Sequence, residues 1–322
     1  MAELYAYAVA RIRALENSLF SMATIEQILA CDSLEAVVSL LEEKGWKNEE
    51  DSLDIDRILS RQKEKIWETV KELKIDMSVF DVFTLQGLYH NLKAAIKESC
   101  IDGEYPHSFY KDAMISRDEM LSIVQNKEFY KLPDHMQEVA KEAYETLLHT
   151  GDGQKCDIMI DKATLQAIYK AGMASEHEII RDYAKETTVI SNIKIALRGQ
   201  QTGKSVEFLR QALVECQGID IEKLAKSVVA GYEAFLSYLT DAGYGEAVEA
   251  IKESPSAFER WCDDRMIETV QAQKYNPFTI GPVVAYVIAR ENEIKTVRIV
   301  ATGIENGISK DMIRERIRKM YV

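Results

Sequence analysis

The sequence is short of the residues that punctuate a chain. Across 322 residues there are 5 prolines and 15 glycines, too few for a β-sandwich or barrel, which needs a turn about every 8–12 residues. Cysteine is scarce and scattered. Cys31, Cys100, Cys156, Cys216 and Cys262 never form a C-x-x-C pair, which argues against a disulfide framework or zinc site and for a reducing cytoplasm. His90, His107, His135, His149 and His177 are equally dispersed. Long apolar runs are missing too. The longest uncharged apolar-rich stretch, 275–289, is 15 residues long and contains Pro277, Gly281 and Pro282. A bilayer span needs about 20 residues. The start, Met1-Ala2-Glu3-Leu4-Tyr5, has no basic n-region, so no secretory signal is expected. Positive charge is in deficit, with 40 Lys+Arg against 53 Asp+Glu and a net charge of −13. That balance disfavours nucleic acid or an anionic bilayer as the main partner, because like charges repel.

What is present is ordinary globular material. Apolar residues make up 47% and charged residues 29%, which excludes wholesale disorder, and the length suits two or three domains. Apolar residues recur at helical spacing: Val9, Ile12, Leu15, Leu19 and Phe20; Leu34, Val37, Val38 and Leu41; Leu209 and Leu213. Thr24 with Gln27, Ser116 with Glu119, Ser175 with Glu178 and Ser256 with Glu259 have the spacing of capping boxes. Strict two-residue alternation is hard to find. The chain is expected to be all-α, with two-thirds or more of its residues helical, against a base rate of about one-third.

A long-period repeat stands out. Asn91-Leu92-Lys93, Asn192-Ile193-Lys194 and Glu293-Ile294-Lys295 place their lysines 101 residues apart each time, and Asp81 and Asp182 keep that spacing. About 37 residues upstream a weaker segment recurs: Leu53-Asp54-Ile55-Asp56, then Asp157-Ile158-Met159-Ile160-Asp161, then Phe258-Glu259-Arg260-Trp261. Ile115-Ser116-Arg117-Asp118-Glu119-Met120 and Ile308-Ser309-Lys310-Asp311-Met312 follow the first and third copies. Tyr144-Glu145 and Tyr232-Glu233 form a further pair. A period near 100 residues exceeds that of helical solenoids, roughly 34–47 residues, and is long enough for each unit to own a core. The expected organisation is three similar helical units, 1–105, 106–205 and 206–322. The boundaries near Pro106 and 203–205 are approximate, and terminal helices are free to cross between units.

No motif commits the chain to chemistry. Gly199-Gln200-Gln201-Thr202-Gly203-Lys204-Ser205 resembles a phosphate loop but has three residues between its glycines where four are needed, and the preceding segment reads as helix. A helix end and turn is the favoured reading. Gly151-Asp152-Gly153 is a plain tight turn. Asp54 with Asp56, Asp157 with Asp161 and Asp263 with Asp264 lack a histidine or third carboxylate at ligand spacing. There is no Gly-x-Ser-x-Gly elbow and no readable Cys–His pairing. No catalytic, cofactor or metal residue is therefore expected, and partner-binding residues stay unassigned. Lys93, Lys194 and Lys295 are read as structural, with Glu291 and Lys295 at a favourable i,i+4 spacing. Residues 285–322 carry eight basic and five acidic side chains, which suits a basic tail closing on an acidic neighbour.

Together, the start Tyr5-Ala6-Tyr7-Ala8-Val9-Ala10-Arg11-Ile12-Arg13, the three Asp…Asn/Glu-Ile-Lys units and the closing segment form a distinctive order. That closing segment runs from Asn276-Pro277-Phe278 through Tyr286, Glu291-Asn292-Glu293-Ile294-Lys295 and Arg298-Ile299 to Ile313-Arg314 and Tyr321-Val322. The chain resembles, over essentially its whole length, the C subunit of the prokaryotic V-type (A/V-type) ATPase or ATP synthase, a relative of the d subunit of eukaryotic V-ATPase. The resemblance implies an all-helical, funnel-like protein of three similar domains around a pseudo-threefold axis. It also implies a non-catalytic socket and spacer on the cytoplasmic side of the membrane, between the rotor ring of proteolipid subunits and the central shaft, made of the D and F subunits. That assembly moves protons or sodium ions. No cofactor and no homo-oligomer are expected. The third unit departs from the pattern, with Val283 where Asp81 and Asp182 stand and Glu293 in place of asparagine. Two other readings are open from the residues: a nucleotide-dependent enzyme using 199–205, and a generic soluble helical scaffold for other proteins.

Overall fold

The computed structural model describes residues 2–46, 54–100, 109–110 and 113–322, with side chains from Tyr5 onward. Pro106, Leu53 and His107, singled out in the sequence, lie outside the described residues. The protein is all-α, with 78% of its residues helical. Among the described residues the only β pairing is a single bridge between Cys216 and Ile219.

Along the chain the helices are α1 (Ala2–Glu16), α2 (Met22–Ala30), α3 (Leu34–Glu43), α4 (Ile55–Glu72), α5 (Asp81–Cys100), α6 (Arg117–Gln125), α7 (Asp134–Thr150) and α8 (Gly153–Met173). They continue as α9 (Glu178–Gln201), α10 (Val206–Ala212), α11 (Ile221–Ala230), α12 (Tyr232–Asp241), α13 (Gly245–Glu253), α14 (Pro255–Gln271), α15 (Gly281–Glu305) and α16 (Lys310–Arg314). Many of them start where short polar side chains satisfy free amides. Ser33, Asp54, Ser116, Asp152, Ser205, Asp220 and Ser309 each accept a bond from the amide three residues on. Of the four expected capping boxes, the one at Ser116 falls where the spacing placed it. α2 is capped by Ser21, not Thr24, and α14 by Ser254 with Pro255 in its first turn, not by Ser256. Ser175 lies two residues before the cap position of α9, which His177 occupies. Short polar side chains crowd these starts, and the backbone selects whichever reaches an extended conformation.

Two compact units emerge. One joins Met1–Met77 to Tyr244–Val322, and the other is Ser78–Gly243. In the first, α15 is the central element. Nearly every position from Gly281 to Ala289 is buried, as expected of a helix surrounded on all sides. α1, α2, α3, α4, α14 and α16 pack on it. The apolar run that was too short for a membrane span thus supplies a core, and no helix of the described residues is long and apolar enough to cross a membrane. α4 shows the complementary pattern, burying Ile55, Ile58, Leu59, Ile66 and Val70 on one stripe. In the second unit α8 is central, packed by α5, α7, α9 and α10. Gly172 permits the closest approach there: a Cβ at that position would sit 2.1 Å from the Ala184 Cβ on α9.

Candidate functional site

The repeated residues build local contacts that recur. Each of the three helices that carry a repeated lysine, α5, α9 and α15, has a buried asparagine whose amide holds backbone further along the chain. Asn91 on α5 donates to the Tyr110 carbonyl (3.0 Å) and accepts from the Tyr110 amide (2.8 Å). Asn192 on α9 does the same to Val214, at 2.7 and 2.9 Å. On α15 the residue is Asn292, which donates to the Lys319 carbonyl at 2.9 Å. An amide offers both a donor and an acceptor, so it can replace one rung of a β ladder for an isolated extended segment. The clamp of the third copy is therefore Asn292, one residue before Glu293.

Downstream of the lysines the matching positions drift from 101 to 104 residues apart. Tyr110 answers to Val214, and the helix caps Ser116 and Asp220 correspond. Gly199, Gly203 and Ser205 answer to Gly303, Gly307 and Ser309. Gly203 and Gly307 are both left-handed, with φ of 63° and 65°. Gly199 faces the Leu209 side chain and Gly303 faces Ile313. The phosphate-loop-like segment is thus the end of α9 followed by the capped start of α10. Lys204 reaches Gln154 at 3.3 Å and lies over the Phe208 ring at 4.6 Å. No strand precedes the segment, so its amides do not converge on a phosphate.

The acidic pairs are spent on the repeated cations. Lys93 bridges to Asp161 at 2.6 Å and Lys97 to Asp157 at 2.7 Å, a two-rung ladder that fixes α5 antiparallel to α8. Lys295 bridges to Asp263 at 2.7 Å, and Arg298 to Asp56. Lys194 is engaged as well. Asp54 caps α4. No group of three His, Cys, Asp or Glu suited to a metal ion occurs among the described residues.

Glu293 has its own role. It is fully buried, bridges to Arg290 at 2.5 Å and accepts from the Phe20 amide. Arg290 also donates to Tyr286 and Ser18, so the pair stitches the α1–α2 connection to α15. Burial pushes the Glu293 carboxyl up, and Arg290 and the Phe20 amide offset part of that push. The spacing of Glu293 from the repeat signalled a divergent third copy; its partners some 270 residues upstream carried no local signal.

The basic tail closes on acidic neighbours. Arg314 bridges to Glu26, Lys310 to Asp32, Arg318 to Asp263 and Lys319 to Glu268, and the Lys319 amide donates to Asp264. Burial pushes the Asp264 carboxyl up. Tyr321 is 2% exposed and its hydroxyl lies 3.5 Å from Glu16.

Thiol and imidazole chemistry is muted. Burial raises Cys156 and Cys216 to about 11, which keeps them protonated and poorly nucleophilic. His135 is lowered by burial and bonds the Tyr89 hydroxyl at 2.9 Å. The exposed features are of another kind. Tyr275 and Phe278 stand 83% and 63% exposed beside the start of α15. One cleft is bounded by α14, α15 and α16, and another lies beside α7. Sequence periodicity missed all of these, because it shows which residues are apolar and not which of them stay uncovered.

A likeness to known proteins runs the length of the chain. The ATP synthase (C/AC39) subunit family matches residues 8–316. The C subunit of the V-type sodium ATPase of Enterococcus hirae is 22% identical over 317 residues, covering 96% of this chain and 97% of the relative. The C subunit of the A-type ATP synthase of Methanocaldococcus jannaschii is 25% identical over 347 aligned residues, covering 96% and 85%. That of Thermococcus kodakarensis is 22% identical, covering 97% and 89%. At this identity the agreement rests on order and spacing over the whole chain, and on that extent of match the chain belongs to the ATP synthase (C/AC39) subunit family.

Proposed function

We propose that this chain is a non-catalytic central-stalk subunit of a rotary V-type ATPase or ATP synthase. It acts as a socket and spacer that couples the shaft, made of the D and F subunits, to the membrane rotor ring during proton or sodium transport. The observation that carries the reading is the end-to-end match to C subunits, 96% of this chain against 97% of a relative. Such a protein is peripheral to the membrane, on its cytoplasmic side, and holds its place through other subunits.

The physical character of the chain supports the role. Torque transmission needs elements that do not bend, and long helices cross-linked by buried amides and ion pairs resist bending better than loops do. The reading includes three related helical units, near 1–105, 106–205 and 206–322, around a pseudo-threefold axis. The clamps at Asn91, Asn192 and Asn292 support it, as does the pairing of helices between copies. α8, from the second copy, packs on α5 of the first, and α4, from the first, packs on α15 of the third.

The test is a tagged pull-down from detergent-solubilised native membranes, with every co-purifying chain identified and ATPase activity assayed. Ring, shaft and ATP-hydrolysing subunits are expected together, with no ATP turnover by the isolated chain. Recovery of soluble partners alone, or of none, overturns the reading.

A further inference from the structure

The cleft bounded by α14, α15 and α16 has a volume of about 530 Å³. Its apolar floor is Ile299, Ile308 and Ile313, its cationic side is Arg298, Arg316 and Arg318, and Glu259, which has a partner of its own, lines it from α14. Two of the arginines are already committed. Arg318 is 6% exposed and held by Asp263, and Arg298 is bridged to Asp56. Arg316 is different. It is exposed, and its guanidinium has no ion-pair or hydrogen-bond partner among the described residues. Among the described residues, that leaves one free guanidinium beside an apolar floor.

We propose that this cleft is the docking site for an acidic segment of another subunit, one that seats an apolar side chain on the isoleucines and a carboxylate on Arg316. The inference rests on the rotary-complex reading and deepens it by naming the chemistry of one contact. Size and chemistry select the occupant. A cleft of this volume holds two or three side chains, and a small inorganic anion on Arg316 would leave the floor bare. An apolar anchor alone would leave the guanidinium unmatched as water is expelled, whereas a carboxylate meets its planar donor fork with charge-assisted bonds. Arginine beside an apolar floor is also the composition in which interface energy concentrates. Gly303 lets Ile313 pack directly on α15, since a Cβ there would meet the Ile313 side chain at 2.6 Å.

The experiment uses the full chain carrying Thr302→Cys, an exposed position that lines the cleft and leaves Arg316 in place. The introduced thiol is alkylated in the isolated chain and in the complex recovered by pull-down, and its peptide is followed by mass spectrometry. The expected result is alkylation at least about tenfold slower in the complex, the factor that about 1.4 kcal/mol of protection gives. A benzophenone maleimide on the same thiol is expected to cross-link to a segment of a different subunit in which an apolar residue neighbours Asp or Glu. Arg316→Glu is expected to loosen the chain from the complex and Arg316→Lys to retain it. Equal alkylation in both states overturns the proposal, as does a cross-link to a second copy of this chain or to a neutral or basic segment. These failures are distinct from failure of the rotary reading, in which the chain recovers no complex at all and the inference falls with it.

Discussion

At the scale of single residues, the buried asparagines and the Arg290–Glu293 pair are the polar groups on which the folded state depends most. Asn192 is fully buried and satisfies both the amide and the carbonyl of Val214, itself 2% exposed. Asn192→Ala strands two buried backbone groups, each costing about 1–3 kcal/mol. A loss of about 2–5 kcal/mol is expected in urea unfolding, followed by far-ultraviolet circular dichroism. Asn292→Ala loses one bond to an exposed residue, Lys319, which water can replace, so about 1 kcal/mol is expected. Equal effects would show that the clamps do not work through satisfied backbone. The ion pair makes a sharper contrast. Glu293→Ala leaves Arg290, only 12% exposed, without its counter-charge, at a cost of about 3–5 kcal/mol. The double change Arg290→Met with Glu293→Met removes both charges and is expected to recover most of that loss, because desolvation consumes much of what a buried pair gains. A double variant as unstable as Glu293→Ala would mean that the links to Ser18 and Phe20, not charge balance, dominate.

At the scale of elements, the contacts that fix helix spacing turn on glycine. Gly172→Ala would drive its methyl to 2.1 Å from the Ala184 Cβ, with the Ile180 carbonyl at 3.2 Å. Neither atom can rotate away, so α8 and α9 must separate, at about 2–3 kcal/mol or more. Gly199→Ala meets the end of a flexible side chain, the Leu209 Cδ2 at 2.7 Å, and a milder loss of about 1 kcal/mol is expected, offset in part by better helix propensity. Thermal melts of the two variants give the comparison, and a Gly199→Ala loss as large as that of Gly172→Ala would overturn it. The glycines also mark where sequence reading stops. The helices themselves were readable, because three- and four-residue spacing, as in Val37, Val38 and Leu41, is a local property of an amphipathic segment. The repeat was readable from Asn-apolar-Lys, and the basic tail from its charge. What asparagine and lysine hold was not, because Asn192 meets Val214 and Lys93 meets Asp161 only once the tertiary fold forms. Cap positions slipped by a few residues for a local reason, as at Ser254 and Ser256, where two nearby serines compete. The cleft beside Arg316 was invisible, since Ile299, Ile308 and Ile313 come from α15, the turn after it and α16, and only the fold brings them together.

At the scale of the whole molecule, the order of the chain and the order of its packing differ, and folding in pieces exposes the difference. Residues Ser78–Gly243 form one compact unit from a continuous stretch. Its central helix α8 finds α5, α7, α9 and α10 within that stretch, so a fragment 78–243 is expected to be helical and to melt cooperatively. The other unit is discontinuous, since α15 belongs to the C-terminal part while α1, α2, α3 and α4 come from the N-terminal part. A fragment 244–322 keeps α13, α14 and α16 but leaves one side of α15 bare, and with it a share of Val283, Val284, Val287, Val297 and Val300, all fully buried in the intact chain. Exposing even three such side chains forfeits roughly 5–9 kcal/mol, comparable to the entire net stability of a domain. The fragment alone is therefore expected to lack a cooperative melt and to self-associate, and adding residues 1–77 in trans is expected to restore one. Extending the fragment to 206–322 tests the boundary of the proposed third unit by the same measure. Should 206–322 melt cooperatively without residues 1–77, α4 and α1 would be coverings added to a self-sufficient unit. Should it need them, the N-terminal helices are part of the core that holds α15, and the two ends of the chain fold as one body.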